Sequence, residues 1–185
     1  MKKTCPKATW ILAAALAAAC ASTPSSRLDR MYASLQTDIA DHGHETKFDP
    51  DLAKRNAERA AAARELVEAG EVTKGIDRFH AAVLLVETDD PDLLKMSEEL
   101  AMQSAEQGVE LGRRVAAEAM DKQLVRKGLP QRWGTQYEWV VVLQAWRLYP
   151  IDPTTTDAER RKMGVPSLAE IRQGEDRLNA LVKTR

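Results

Sequence analysis

Residues 97 to 136, "SEELAMQSAEQGVELGRRVAAEAMDKQLVRKGLPQRWGTQ", decide the fold. Leu111, Val115, Ala116, Ala119, Met120 and Leu124 recur on one stripe of a 3.6-residue period, which predicts a helix with one apolar face. Upstream, Asp90 stands where an N-cap belongs, Pro91 at the first helical position and Asp92 in the first turn, so a preceding helix runs from there to Gly108. Arg126 and Lys127, then Gly128 and Pro130, stop the second helix. Two capped helices joined by a short loop form an antiparallel pair. The turn that follows, Gln131 to Gln136, admits two readings. In one, its polar side chains satisfy an irregular backbone and Trp133 covers the end of the core. In the other, Gln131, Arg132, Thr135 and Gln136 shape a recognition surface.

Working outward, Leu28, Met31, Tyr32, Leu35 and Ile39 repeat as one face of a first helix. "DHGHETKFDP", residues 41 to 50, interrupts it, and a second helix ends at Gly70. Ile76, Phe79, His80, Val83 and Leu84 mark one face of a third. "QYEWVVVLQAWRLYPIDP", residues 136 to 153, is rich in β-branched and aromatic residues and reads as extended, although no Asn-Gly or Gly pair marks a hairpin turn. The tail returns to helix: Asp157 can cap "AERRKMG", and Ser167 with Glu170 forms a capping box before Leu168 and Ile171. The fold class is mainly α, in antiparallel helix pairs, with a short extended or β element before the C-terminal helices.

The N-terminus carries an address. Lys2, Lys3 and Lys7 precede the apolar run from Trp10 to Ala19, which is shorter than the roughly 20 residues a membrane span needs and reads as a secretory signal. "LAAAC", residues 16 to 20, resembles the lipobox of bacterial lipoproteins, which are cleaved before a cysteine that becomes acylated. The expected organisation is a signal peptide at 1–19, a tether at 20–27 and one helical domain at 28–185. Cys5 leaves with the signal, so Cys20 remains alone and no disulfide can form within the chain. The membrane, through lipid on Cys20, is then one partner. An envelope protein is another candidate. Ala21, where Asp would retain such a lipoprotein in the inner membrane, points to the outer membrane, facing the periplasm, in a Gram-negative source.

Removing residues 1–19 takes three lysines, leaving 24 basic against 28 acidic residues, so the formal charge moves from −1 to −4. This mildly acidic chain has no basic stripe, which argues against a nucleic-acid partner. It carries no G-x-S-x-G, no H-E-x-x-H and no glycine loop for phosphate, and no cofactor is expected. His42 and His44 stand two residues apart in a polar stretch without ligands at longer separation, so no metal site is assigned.

From Arg78 to about Ile171 the order of features resembles a bacterial domain family of unknown function. The matching stretches are "FHAAVLLV", the 97–136 segment and "RRKMGVPSLAE", set against a family pattern whose specific part is a G-x-P-Q-x-Y-G-T-Q turn. Trp133 stands where that family has Tyr or Phe, and Lys122 where it has Arg. The helix pair is also weakly similar to Sel1 and tetratricopeptide-like units, without a second full repeat. The resemblance implies weight for Gln131, Gly134, Thr135 and Gln136 but no reaction.

The candidate site is therefore Gln131, Arg132, Trp133, Gly134, Thr135 and Gln136, with Asp121 and His80 as the nearby groups able to carry charge or a proton. The leading expectation is a protein- or ligand-binding module with Trp133 exposed. A hydrolase-like enzyme built on Asp121, His80 and the turn, and a purely structural envelope lipoprotein, are the alternatives.

Overall fold

The computed structural model describes residues 23–42 and 49–183. Among these residues the elements are α1 (Pro24–His42), α2 (Pro50–Glu68), α3 (Gly75–Val86), α4 (Pro91–Glu106), α5 (Gly112–Arg126), β1 (Tyr137–Val140), β2 (Ala145–Leu148), α6 (Asp157–Lys162) and α7 (Leu168–Lys183). The signal, its cleavage site, Cys20 and His44 lie outside the described residues. No described helix is long and apolar enough to cross a membrane.

The helix starts follow from local chemistry. Asp49 and Asp90 each precede a proline at the first helical position and accept backbone N–H groups of the first turn. Thr23 does the same for α1, accepting Ser26 N at 3.2 Å through its hydroxyl, so residues 24–27 are helical where the sequence suggested tether. At α6 the cap is Thr156, one residue before the expected Asp157: Thr156 and Glu159 form a reciprocal capping box. The Ser167–Glu170 box is present as expected.

α3 is the axis of the N-terminal bundle, packed by α1, α2, α4 and α5. For that reason its burial is not one stripe. Phe79, Ala81, Ala82, Leu84, Leu85 and Val86 are all buried, while Ile76, expected on the core face, is exposed. α1 and α2 are clamped by Asp38, which accepts Arg55 at 3.0 and 3.1 Å and Arg59 at 2.6 Å. Those hydrogen bonds from Arg55 and then Arg59 hold its carboxyl below the ordinary range. α4 and α5 approach closely at Gly112, where a Cβ would fall 2.3 Å from the Ala101 carbonyl oxygen. Only glycine fits there.

The extended segment is a two-stranded antiparallel hairpin, with Tyr137 opposite Leu148 and Trp139 opposite Trp146. Its turn, residues 141–144, has none of the usual turn residues, and Gln144 takes the left-handed conformation at φ 46. α7 lies along β2. Asn179 accepts Trp146 N at 2.7 Å and donates to Trp146 O at 3.0 Å, imitating one rung of a further strand. A second small core forms here from Ala117, Trp133, Val165 and Ile171. α5 thus serves two cores, the bundle through Val115, Ala116 and Ala119 and the C-terminal unit through Ala117.

Candidate functional site

Asp121 sits one turn after Ala117 on the second face of α5, fully buried. The turn wraps around its carboxylate. Oδ1 accepts the N–H of Arg132 at 2.7 Å and of Trp133 at 3.0 Å; Oδ2 accepts Gly134 N at 2.9 Å, Thr135 N at 3.0 Å and the Thr135 hydroxyl at 2.9 Å. Four successive backbone donors on one carboxylate form an anion nest whose anion is supplied by the chain itself. Gly134 permits the geometry. Its φ is +93, and a Cβ would stand 2.9 Å from Ile171 Cδ1.

The opposite side of the same peptide faces Arg160, which is 2 % exposed. Arg160 Nε donates to Trp133 O at 3.2 Å, and its Nη1 donates to Thr155 O and Asp157. The Trp133–Gly134 peptide therefore presents its N–H to a carboxylate and its C=O to a guanidinium, so each charge polarises the bond the other uses. Gln131 closes the turn from within. It is 0 % exposed; its amide nitrogen donates to Gln136 O and Tyr149 O, and its amide oxygen accepts Gln136 N at 2.8 Å.

These contacts correct the exposed-surface reading. Gln131, Trp133, Gly134 and Asp121 face inward, with Trp133 only 5 % exposed and its indole N–H on Met120 Sδ at 3.3 Å. Thr135 and Gln136 are half-buried and bond within the turn. Arg132 alone of the six is exposed, its guanidinium 4.6 Å from the Trp133 ring centroid and 3.6 Å from Glu159.

His80 belongs elsewhere. Its ring stacks on Tyr32 of α1 with centroids 4.3 Å apart, and Nδ1 lies 3.0 Å from Asp29 without hydrogen-bond alignment. Asp121 and His80 are held by different elements and share no partner, so the structure does not assemble the constellation the hydrolase-like alternative needs. Five donors, all from the turn, also surround the Asp121 carboxylate.

What the outer face of the turn does form is a groove of about 550 Å³. Met120 and Leu124 of α5, Leu129, Pro130 and Pro153 give its apolar floor, and Lys127, Arg132 and Asp152 its rim. Backbone and hydroxyl hydrogen bonds from Thr154 hold the Asp152 carboxyl below its ordinary range, so this rim position stays anionic. Leu129, 50 % exposed, is the largest uncovered apolar surface beside the motif. Sequence reasoning missed Leu129, Lys127, Asp152 and Arg160. Nothing local distinguishes them: Asp152 reaches the groove through a parallel bridge between Gln131 and Ile151 that brings residues 150–153 against the turn, and Arg160 reaches Trp133 O from α6. Among the described residues no group of His, Cys, Asp or Glu could hold a metal ion.

No family model, no curated protein and no solved structure matches the chain. The family resemblance of the turn accordingly rests on the motif alone.

Proposed function

We propose that the chain is a lipid-anchored cell-envelope binding module, held at the membrane through acylated Cys20 and offering the groove beside Leu129 and Arg132 to a peptide segment or small amphipathic ligand. The observation that carries this reading is the division of labour in the turn. Its inner side is saturated with hydrogen bonds, giving a rigid support, while its outer side leaves an apolar floor between charges of both signs. An apolar floor with a few placed polar groups is the usual form of a ligand groove. The signal and "LAAAC" support export and acylation.

The structural alternative has its own support, since the motif's most distinctive residues hold the fold together. The hydrolase-like alternative has less, because Asp121 and His80 have separate partners. A photo-crosslinking residue in place of Leu129, installed in cells, separates the first two. A discrete adduct that disappears in a Leu124→Arg variant of unchanged melting temperature supports the groove. Absence of any adduct at 129 and at 127 would leave the structural reading standing. The mass of the mature protein tests the anchor independently, since acylation at Cys20 must add fatty-acid mass that Cys20→Ala removes.

A further inference from the structure

The hairpin ends in the most exposed apolar cluster among the described residues. Val141, Val142 and Leu143 are 68 %, 93 % and 55 % exposed, in consecutive positions at the tip. From Trp139 to Trp146 the chain "WVVVLQAW" carries no charge, and the first charged pair, Glu138 opposite Arg147, stands one register position behind the tryptophans. Single exposed apolar residues need no explanation, whereas three side by side on a projecting turn mark a contact surface.

Its layering points to a kind of partner. Aliphatic side chains form the tip, and Trp139 and Trp146 pair edge to face behind it with centroids 5.7 Å apart. Charges follow. That sequence of tiers matches a bilayer surface, where acyl chains, the aromatic-rich headgroup boundary and water succeed one another. The three residues from Val142 back to the tryptophans span about 10 Å, the depth to which interfacial segments enter.

Part of the tip's backbone is paired within the turn. Leu143 N donates to Val140 O at 3.0 Å and Gln144 N to Val141 O at 3.2 Å. The Gln144 side chain, the tip's one polar group, donates to Val141 O as well. Unpaired backbone polar groups are what hydrocarbon penalises most, and this turn satisfies several internally.

The hairpin springs from the turn that α5 holds: Tyr137 follows two residues after Thr135, which donates to Asp121, and the Tyr137 hydroxyl donates to Ile171 O of α7 at 3.0 Å. Cys20 is three residues before Thr23, so an acyl anchor there holds the start of α1 within about 11 Å of the headgroups.

From these observations we infer that the Val141–Leu143 tip inserts shallowly into the lipid surface, with Trp139 and Trp146 at the headgroup boundary, as a second contact that orients the domain. The inference rests on the proposed anchoring at Cys20. Three aliphatic side chains are too few for stable attachment alone, which is why the tip orients and the lipid retains.

The test uses the full chain as cells process it, reconstituted in phosphatidylethanolamine and phosphatidylglycerol vesicles whose acyl chains are brominated near the headgroup. Bromine quenching of tryptophan fluorescence reads tip depth, and protein mass reads acylation separately. Quenching in wild type that falls at least about threefold in Val142→Asp, with an unchanged far-ultraviolet spectrum, supports insertion. No quenching in acylated wild type, or quenching that Val142→Asp leaves intact, overturns it. A tip that crosslinks to protein while remaining unquenched also overturns it, in favour of a protein partner. If the mass shows no acylation but the added protein is still quenched through the tip, the anchoring reading fails and the insertion stands.

Discussion

At the scale of single residues, Asp121 and Gln131 show how a polar motif can belong to the interior. Both are fully buried with their capacity met by named partners, so substitution strands donors that water cannot reach. Asp121→Asn places an amide against backbone N–H groups and is expected to cost about 3 kcal/mol, and Gln131→Ala about 2 to 4 kcal/mol, in denaturant unfolding. Arg132→Ala, exposed on the outer face, should stay within about 0.5 kcal/mol of wild type. The motif's importance was legible from residues 128–136, but its direction was not. Whether Gln131 points in or out depends on Tyr149 eighteen residues later, a pairing that no local periodicity encodes.

At the scale of elements, starts and stops were the legible part, because caps such as Asp90 with Pro91 and Ser167 with Glu170 act over three or four residues. The hairpin was legible as extended chain but not as a hairpin, since residues 141–144 lack turn chemistry and Gln144 accepts a left-handed φ. Gln144→Gly should relieve that cost and raise stability by about 0.5 to 1 kcal/mol in a thermal melt, even without its side-chain hydrogen bond. The C-terminal helices carry an acid sensitivity. Hydrogen bonds from Thr156 hold Glu159 low, those from Ser167 hold Glu170 low, and the backbone N–H of Leu168 does so for Asp157. A carboxyl whose folded value is depressed contributes stability above its unfolded value and loses it as pH falls through the folded one. Below about pH 4, hydrogen exchange in α6 and α7 should therefore quicken before that in α3.

At the scale of the whole molecule, α5 contributes residues to both cores and so couples them. Trp133, Trp139 and Trp146 all report the C-terminal unit, whereas helical circular dichroism is dominated by α1 to α5. The two signals should melt together in the wild type, because Asp121 and Arg160 hold one peptide between them. In Arg160→Met the fluorescence transition should come first, by about 5 °C or more. The same sharing sets how the chain can evolve. Ala116, Ala117 and Ala119 are wholly enclosed, with neighbours on both sides of one helix, so adding a single methylene there disturbs one core or the other. Lineages descending from this protein should drift freely along the outer faces of α2 and α7 and scarcely at all along α5, whose alanines would look unremarkable in any one sequence.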